Sequence, residues 1–314
     1  MRQAVTQMPN IYKAQLLDTL RKRFGELNRL PKSQSLFTLA NNAARIYFRY
    51  SKVHPDGRTF FGLRDVDLRQ LEGHNGFVCL FVDSNDPPLF IPYADFEEVF
   101  RTSETASDGQ HKVQLISQED SRQLYIARKG RFNVEGYVGM ATLERSLEAD
   151  RLRPARNLSH SQVQTLLGAV GRLKGFDVWI PQNDVGRLDW SVASRFSVCP
   201  RIPAGFEEVA SIISEVDVVW ISAGSNKVEG LFEVEHSTPI YSGLLRFNDV
   251  LLTTPRLSRF HIVSNDARRA VFSRQAFRPT FRKSGLSELV SFLEYANVLD
   301  WYDRLKRGVS HDVA

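Results

Sequence analysis

The chain has 314 residues, a length that favours two domains at about 150 residues per domain. Hydrophobic residues make up 42% of it and charged residues 25%, which are ordinary globular proportions and exclude a disordered or collagen-like chain. The two cysteines, Cys79 and Cys199, are too few for a disulfide framework or a four-thiolate zinc site. Residues 1–15 lack the apolar core of a signal peptide, and no stretch reaches about 18 uninterrupted apolar residues. We therefore expect a cytoplasmic protein with no membrane partner.

The net charge of +5 is distributed unevenly. Residues 1–150 carry 20 Lys and Arg against 19 Asp and Glu, whereas residues 151–314 carry 21 against 17. One segment, 256–283, contains a single acid, Asp266, among Arg256, Arg259, Arg268, Arg269, Arg274, Arg278, Arg282 and Lys283. Such a segment either neutralises the phosphates of a polyanion or forms a solvated helix face.

Residues 1–145 are predicted to form an α+β domain. Apolar residues at helical spacing predict a helix at 11–30, and a second helix is predicted at 37–50. Aromatic and β-branched runs between turn residues then predict strands and one short helix. The strands are RTFFGL (58–63), GFVCLFV (76–82), PLFIPY (88–93), KVQLIS (112–117) and QLYIARKG (123–130), and the helix is ADFEEVF (94–100). A charged segment at 146–158, broken by Pro154, suits a linker between domains at 1–150 and 156–314.

Residues 156–314 mix helices and strands. Ser159 is the predicted N-cap of a helix at 160–174, whose apolar residues share one face. The other predicted elements are strands at 176–181, 215–222 and 231–236, a helix at 238–252, a strand at 260–264, and helices at 266–279 and 286–306. This order predicts an α/β (α+β) fold, with a mixed central sheet flanked by helices and preceded by a separate α+β N-terminal domain.

Four acidic residues interrupt the apolar strands at 215–222 and 231–236: Glu215, Asp217, Glu233 and Glu235. Since side chains alternate along a strand, each strand carries its two acids on one face. A hairpin with its turn centred on Ser225 would oppose Asp217 to Glu233 and Glu215 to Glu235. The Cα atoms of opposed residues lie about 4.5–5.5 Å apart, so the four carboxylates would crowd one patch and raise one another's pKa.

A divalent cation would offset this repulsion. Mg²⁺ prefers oxygen ligands, and one or two carboxylates commonly hold it together with water and substrate phosphates. Two other interpretations remain open, namely an acidic, solvent-exposed strand edge and the paired carboxylates of an enzyme such as a glycosidase. The sequence contains no G-x-S-x-G, G-x-x-x-x-G-K-[ST] or G-x-G-x-x-G motif, and so lacks the signatures of α/β-hydrolases, P-loop NTPases and dinucleotide-binding proteins.

The arrangement of these acids resembles that of the PD-(D/E)XK nuclease superfamily, the restriction-endonuclease-like proteins. Its signature is an Asp on one strand and, on the next, a carboxylate, any residue and usually Lys. Asp217 matches the first position and Glu233 the second, while Glu235 stands where Lys is usual, and Glu-x-Glu endings also occur in this superfamily. The stretches FEVEHSTPIYSGLLRFNDVL and HSQVQTLLGAVGRLKGFDVWIPQND also resemble a group of these proteins, so the resemblance covers about 156–285.

The resemblance implies a restriction-endonuclease-like sheet in which Asp217 and Glu233 bind Mg²⁺, with Mn²⁺ as a substitute. Glu235 would hold the metal-bound water or act as its base. Glu215 is a candidate auxiliary acid. His160 is a candidate supporting residue, with an ordinary helix-start residue as the alternative.

Further side chains are candidates for contacts with the DNA backbone: Tyr241, Arg246, Arg268, Arg269 and Arg274. For Tyr241 and Arg246 the alternative is a packed ring and a surface charge. Asp184 is interpreted as a loop cap, and His236 as a core or helix-contacting residue.

Together these features predict a Mg²⁺-dependent DNA endonuclease of a restriction or phage-defence type, acting on double-stranded DNA. The domain at 1–150 would supply target recognition, because phosphate contacts alone do not read a sequence. A cognate methyltransferase and a two-fold homodimer are the expected partners. The alternative is a catalytically silent nuclease-fold protein that binds DNA or another partner, for which a broken acid set would be expected.

Overall fold

The computed structural model describes residues 11–30, 33–40, 43–54, 58–84, 86–118, 121–152, 157–202, 205–225, 227–254, 257 and 259–311. The chain divides into two units, residues 1–153 and 154–314. The described residues form three β-sheets flanked by helices, which agrees with the predicted mixture of α and β structure. Within these ranges no helix is both long and apolar enough to cross a membrane. Arg256 of the predicted basic segment lies outside the described residues.

The first unit contains two sheets. Its described elements are α1 (Ile11–Phe24), β1 (Leu27–Arg29), β2 (Leu36–Leu39), β3 (Ala44–Ser51), β4 (Thr59–Arg64), α2 (Asp65–Leu68), β5 (Gly76–Val82), β6 (Leu89–Pro92), α3 (Glu97–Thr102), β7 (Gln110–Gln118), β8 (Ser121–Ile126), β9 (Gly130–Asn133) and α4 (Ala141–Leu152). A mixed sheet has the order β1-β2-β3-β5-β6, in which β3 and β5 are parallel. The second sheet, β4-β7-β8-β9, is antiparallel throughout.

The five-stranded sheet of this unit is buried on both faces. On one face Phe48, Phe77 and Phe90 form a cluster with Leu20 of α1 and Leu143 of α4. On the other face a second cluster joins it to the alternating buried residues of β4 and β7. The four-stranded sheet therefore contributes one face to the core.

Four predictions for the first unit differ from the structure. The strand predicted at 123–130 ends at Ile126, and a turn leads from it into β9, which was not predicted. Residues 37–50 form β2 and β3 instead of a helix, because β3 pairs with β2 on one side and β5 on the other and buries its aromatic side chains. The helix predicted at 11–30 ends at Phe24, where Gly25 takes a positive φ of 88°, and β1 follows. The segment predicted as a linker remains helical as far as Leu152.

The second unit is built around one mixed sheet. Its described elements are α5 (His160–Leu173), β10 (Phe176–Trp179), α6 (Gln182–Val185), α7 (Ala210–Ile213), β11 (Val218–Ser222), β12 (Val228–Val234), α8 (Ile240–Thr253), β13 (Phe260–Ser264), α9 (Arg269–Ala276), α10 (Pro279–Ser284), β14 (Val290–Glu294) and α11 (Tyr295–His311). The strands follow one another in the order β10-β11-β12-β13-β14. The pairs β10–β11 and β11–β12 are antiparallel, and β12–β13 and β13–β14 are parallel.

Helices bury both faces of this sheet. On one face Trp220 and Phe232 pack in a cluster with apolar residues of α5 and α11. On the other face Val219 and Leu231 pack with residues of α8, α9 and α10. The predicted N-cap is confirmed, since the Ser159 hydroxyl accepts a hydrogen bond from the Gln162 N–H and the Gln162 side chain accepts one from the Ser159 N–H.

Three elements of the second unit differ from prediction. The helix predicted at 266–279 ends at Ala276, and Pro279 begins the separate helix α10. The strand predicted at 215–222 begins at Val218, because residues 214 and 215 close a turn after α7. The helix predicted at 286–306 contains β14 before α11 begins at Tyr295. Leu286, Leu289 and Leu293 are spaced as on a helix, but backbone pairing with β13 makes residues 290–294 a strand.

Candidate active site

Three of the four acidic residues meet at the end of β11 and β12 that lies away from their turn. Asp217 directly precedes β11, Glu233 belongs to β12, and Glu235 directly follows it. Val218 pairs with Phe232 and Val219 with Leu231, which is the register predicted for a turn near Ser225. A register shift between Trp220 and Ile221 is confined to the turn side. Asp217 and Glu233 therefore stand next to each other across the hairpin.

Asp217 is held from three directions. Its Oδ2 accepts a 2.6 Å hydrogen bond from the Val234 N–H, and its Oδ1 lies 3.2 Å from Nε2 of His160 at the start of α5. The Asp217 carbonyl accepts a 3.0 Å hydrogen bond from the Gln164 amide. The hydrogen bond to Asp217 raises the pKa of His160, and the charge of Asp217 adds to this effect. His160 thus joins the acidic cluster instead of only starting a helix.

Glu233 is buried and forms a two-pronged ion pair. Its side chain is 1% exposed, and Arg246 of α8 donates from Nε to Oε1 at 2.7 Å and from Nη2 to Oε2 at 2.8 Å. Burial raises the pKa of the Glu233 carboxyl, and the charges of Asp217 and Glu235 raise it further, while Arg246 opposes both effects. Bidentate guanidinium pairing is among the stronger ways to hold a buried carboxylate.

Glu235 is also buried, but one of its oxygens lacks a partner. Its Oε2 accepts a hydrogen bond from the Thr238 hydroxyl, and its Oε1 is buried with no hydrogen-bond donor among the described residues. Burial raises the pKa of this carboxyl, and the Asp217 charge contributes in the same direction. The Glu235 carbonyl accepts hydrogen bonds from Ser264 at 2.5 Å and from Arg268 at 2.7 Å. The backbone at the end of β12 is therefore firmly positioned.

Glu215 does not take the place predicted for it. It lies in the turn between α7 and β11, not on a strand opposite Glu235, and its side chain is 69% exposed. Its Oε2 is 3.8 Å from Nη1 of Arg246. Glu215 therefore approaches the site through Arg246, outside the buried group of three acids.

An open cavity of about 620 Å³ lies beside Glu215 and Arg246. It is lined by Pro181, Asn183, Asp184, Arg187, Ser214, Glu215 and Arg246. Asp184 belongs to α6, and its Oδ2 lies 3.4 Å from the Gln164 amide nitrogen, so it does not act as the predicted loop cap. Arg246 lines this cavity and also donates hydrogen bonds to Glu233. A ligand in the cavity could therefore contact the residue that pairs with the buried carboxylate.

The other candidates for DNA-backbone contacts divide into packed and exposed residues. Tyr241 packs on Phe281, and the Arg278 guanidinium lies 4.6 Å from the centre of its ring. Arg269 pairs with Asp266 at 2.7 Å and stacks over a core Phe ring, so its guanidinium is held within the fold. Arg274 is exposed on α9, and it has no hydrogen-bond or ion-pair partner among the described residues.

Arg268, predicted to contact DNA, instead donates to the backbone carbonyls of Glu235 and Thr238. This placement makes it a support for the loop that follows β12. His236 is exposed in the same loop and stacks on Tyr295, with the ring centres 6.2 Å apart, which agrees with a helix-contacting rather than a core histidine.

The donor set suits a hard divalent cation by its chemistry, although the acids are not arranged around one. In the described part of the chain, no group of three or more His, Cys, Asp or Glu residues is placed to hold a metal ion as it stands. Oε1 of Glu235 is a buried oxygen that lacks a donor, and a cation would satisfy it. A Cβ added at Gly243 would lie 2.7 Å from this oxygen, so the glycine keeps the space beside it open. Both oxygens of Glu233, by contrast, are taken by Arg246.

Sequence reasoning missed three residues that shape this site. Thr238 holds Glu235, Gly243 lets α8 approach both glutamates, and Gln164 ties α5 to the Asp217 backbone. For Gly243 a signal was present, because a glycine inside an amphipathic helix costs about 1 kcal/mol relative to alanine and calls for a packing reason. The contacts of Thr238 and Gln164 depend on tertiary structure and have no local signature.

Comparison with known proteins identifies similar sequences but no similar solved structure. A family model described as "Type II restriction enzyme NmeDI C-terminal domain" matches residues 142–311, which is more than half of the chain. The Type II restriction enzyme NmeDI of Neisseria meningitidis serogroup C is 30% identical over 132 residues, covering 39% of this chain and 37% of the relative. No solved structure matches the chain. The matched range contains the whole sheet β10–β14 and all four acids.

Proposed function

The chain belongs to the family of the Type II restriction enzyme NmeDI C-terminal domain, and from this premise we propose that it is an endodeoxyribonuclease that hydrolyses phosphodiester bonds of double-stranded DNA. It would serve restriction or phage defence in the cytoplasm. Its second unit would carry a restriction-endonuclease-like, PD-(D/E)XK-type site in a Glu-x-Glu variant. The chain spans 37% of the length of its relative NmeDI, so the proposal rests on the site's own chemistry as well as on the similarity.

The observation that carries the proposal is the meeting of Asp217, Glu233 and Glu235 at one end of a buried sheet. Burial of Glu233 and Glu235 to 1% and 2% exposure is costly for carboxylates; it raises the pKa of both carboxyls, and the charge of Asp217 raises both further. Perturbed acids beside an open cavity are typical of catalytic sites. The acids of a solvent-exposed strand edge would not be buried, and they would not pair with a common arginine as Glu233 and Glu215 do with Arg246.

We propose Mg²⁺, with Mn²⁺ as a substitute, as the cofactor, held by Asp217 and Glu233 beside Glu235. When bound, it would supply Lewis-acid polarisation of the scissile phosphate and neutralise developing charge. Its access to Glu233 requires Arg246 to give up at least one of its two hydrogen bonds to that carboxylate. A phosphate entering the cavity would offer Arg246 a replacement for them, since guanidinium pairs with phosphate in the same bidentate manner.

Glu235 is the proposed proton acceptor. Its Oε1 would take a proton from water as the water oxygen forms a bond to phosphorus and the bond from phosphorus to the leaving oxygen breaks. Burial raises the pKa of this carboxyl towards the range in which a general base works best at neutral pH. Thr238 would keep the other oxygen in place. His160, through its contact with Asp217, would orient that carboxylate.

The proposed partners follow from this activity. A restriction enzyme requires a cognate methyltransferase to protect the host's own sites, and a two-fold dimer would present one site to each antiparallel strand. The first unit would supply target recognition.

The test is cleavage of plasmid DNA, unmodified and methylated, with Mg²⁺, Mn²⁺ or EDTA. Wild type, Asp217→Ala and Glu233→Ala would be compared with Asp249→Ala, which removes an exposed acid of α8. Metal-dependent cutting that is lost by about 1000-fold in the two site variants, and kept in the α8 variant, is the expected result. A discrete set of fragments would add sequence specificity.

The same assay distinguishes a nuclease from a nuclease-fold protein that binds DNA without cutting it. A wild-type protein that leaves every plasmid intact but retards DNA on a gel would favour a catalytically silent DNA-binding protein. Equal cutting by wild type and Asp217→Ala would refute the assignment of the acids.

A further inference from the structure

The four-stranded sheet of the first unit has one face that the described part of the fold leaves uncovered. Phe61 and Leu63 of β4 and Val113 and Leu115 of β7 are buried in the core shared with the five-stranded sheet. The residues between them point the other way, because side chains alternate across a strand. On β4 this alternation is clear, with Phe61 2% exposed and its neighbour Phe60 52% exposed.

One row of this outer face crosses all four strands. The strand registers place Phe60 opposite Gln114, Gln114 opposite Tyr125, and Tyr125 opposite Arg131. Phe60 and Tyr125 are both among the exposed large hydrophobic side chains, and the His54 ring stands edge-on to Phe60 with the ring centres 5.4 Å apart. This row therefore presents two exposed aromatic rings with an amide between them.

The rest of the face is mainly amide-bearing or basic, with Gly62 and Ile116 as its apolar positions. Its other polar side chains on the described strand positions are Arg64, Gln110, Lys112, Ser121, Gln123 and Asn133, and none of these positions carries Asp or Glu. The β8–β9 turn adds the exposed Arg128 and Lys129. The acids that pair with this group stand off the strands: Asp67 with Arg64, Asp108 with Lys112, and Glu104 with Arg128.

We infer that this outer face, defined by Phe60, Gln114, Tyr125 and Arg131, is the surface with which the protein reads base pairs of double-stranded DNA. The inference rests on the proposed nuclease function and names the part of the first unit that recognises the target. Basic side chains at its rim, among them Arg131 of the edge strand β9, complement phosphates, and the amides of Gln114 and Gln123 on the central strands can form paired hydrogen bonds with adenine. The aromatic rings suit contact with thymine methyl groups or stacking on a base.

The dimensions allow part of the sheet to enter a groove. Four strands at about 4.8 Å spacing span about 14 Å, which exceeds the width of about 12 Å of the DNA major groove, so one pair of neighbouring strands would enter it while the other strands stay over the phosphates. Because each strand adds an outward residue at every second position, the face presents several rows of side chains along the groove. An acidic partner protein would also match the charge, but changes to the face would then leave DNA binding unaltered.

The experiment uses the full chain and random-sequence duplex DNA, with binding followed by fluorescence anisotropy in an Asp217→Ala background that prevents cutting. The face variants are Arg131→Ala and the double variant Gln114→Ala/Tyr125→Ala. Arg21→Ala, an exposed arginine of α1, and Val66→Ala, an exposed apolar residue of α2, are the matched controls. All substituted side chains are exposed or half-buried, so circular dichroism spectra should be unchanged.

We expect Arg131→Ala to weaken DNA binding about tenfold and to lower the slope of log affinity against log salt by about one, with both controls unchanged. In the cutting-competent protein, the double variant should lose discrete fragments by about 10–100-fold while metal-dependent nicking persists. Face variants that bind and cut like the controls would overturn the inference. Variants that leave DNA binding unchanged but alter self-association in sedimentation would also overturn it, in favour of a protein-docking face.

Failure of the proposed function has a separate signature. If the wild type never cuts DNA, but binds it in a way that depends on Arg131, the inference stands and the nuclease assignment falls. If it cuts and the face variants match the controls, the nuclease assignment stands and the inference falls.

Discussion

The sheet of the second unit is covered on both faces, whereas the described residues cover only one face of the four-stranded sheet of the first unit. In the second unit, Val218 to Ile221 of β11 are all buried, because helices cover both faces of the sheet. In the first unit, every second residue of β4 is buried, and the residues between them are exposed or half-buried. The buried carboxylates lie at the end of the doubly covered sheet, and the bare sheet offers a broad exposed surface instead.

A sheet covered on both faces and a sheet with one bare face suit different kinds of site. Helix α8 packs over Glu233 and Glu235 and excludes water from them. This burial raises the pKa of both carboxyls, so a nearby cation is needed to stabilise their ionised forms. The side chains of the bare face remain in water and can meet a partner at little cost in desolvation. Each of the following predictions tests one side of this comparison.

The largest expected effect is on stability, and it compares neighbouring residues of β4. Phe61→Ala should lower the free energy of unfolding by about 3–5 kcal/mol, because it leaves a cavity in the core between the two sheets of the first unit. Phe60→Ala should change it by less than about 0.5 kcal/mol, because that ring is 52% exposed. Urea denaturation of both variants measures the contrast. A loss above 1.5 kcal/mol, about the cost of removing a half-packed ring, in Phe60→Ala would mean that the face is covered in solution.

The next effect concerns the cation that neutralises Glu233. Arg246→Met should lower the free energy of unfolding by about 3 kcal/mol in EDTA, since it leaves a buried carboxylate without its ion pair. This is the lower end of the range for a broken buried pair, because the Arg246 side chain is 26% exposed. Thermal melts with and without Mg²⁺ measure it, and Mg²⁺ should restore more stability to the variant than to the wild type.

Arg282→Met, which removes an exposed arginine of α10, is the control and should leave the melts unchanged. A loss in Arg246→Met that Mg²⁺ does not reduce would make the Glu233–Arg246 pair purely structural. The metal assignment of Glu233 would then fail even if DNA cutting were intact.

The third effect is on catalysis and tests how tightly α8 covers the acids. A Cβ at residue 243 would lie 2.7 Å from Oε1 of Glu235 and 3.2 Å from Cβ of Glu233. Gly243→Ala should therefore displace the carboxylates by a fraction of an ångström and reduce cutting by about 10–100-fold. The helix itself should not weaken, because alanine is the better helix former. Single-turnover cleavage measures the effect, with Ser242→Ala in the same helix as the control, and unchanged cutting in both would show that Glu235 does not need its present position.

The proximity of Asp217 and Glu233 could be predicted from the sequence, but the residues that surround them could not. The register of β11 and β12 could be predicted because a short turn near Ser225 leaves few pairings for two apolar strands. The position of Glu215 could not, since the α7 turn that removes it from the strand depends on how residues 206–213 pack. The pairing of Arg246 with Glu233 was equally hidden, because it depends on how α8 is rotated against the sheet.

Strand and helix assignments failed where the local pattern was compatible with both. Residues 37–50 and 290–294 carry apolar spacings that suit a helix, yet both become strands through pairing with neighbours far along the chain. The bare face of the first unit was not predicted either. The sequence shows which residues alternate, but the side of the sheet that receives the core is decided by the arrangement of the two sheets.

The smallest expected effect is a pH dependence with opposite signs in the two units. A hydrogen bond from the buried His111, helped by Arg69, lowers the pKa of Asp65 below its ordinary value of 3.8. A lowered folded-state pKa adds stability that is present above the unfolded value and is lost as the pH falls through the folded one. Asp65→Asn should therefore cost less than about 1 kcal/mol at pH 7, because Asp65 is one-third exposed, and the cost should disappear in strong acid.

For Glu235 of the second unit the sign is reversed. Its raised pKa means that ionisation weakens the fold, so the stability of Glu235→Gln relative to wild type should be greatest at neutral and higher pH and should shrink as acid protonates the wild-type carboxyl. Urea denaturation of both variants between about pH 3 and pH 8 compares the two carboxyls directly. Curves that converge in acid from opposite sides are expected, since protonation removes a favourable charge at Asp65 and an unfavourable one at Glu235. Curves of the same sign would mean that Glu235 is ionised without strain and that its buried oxygen is satisfied in solution.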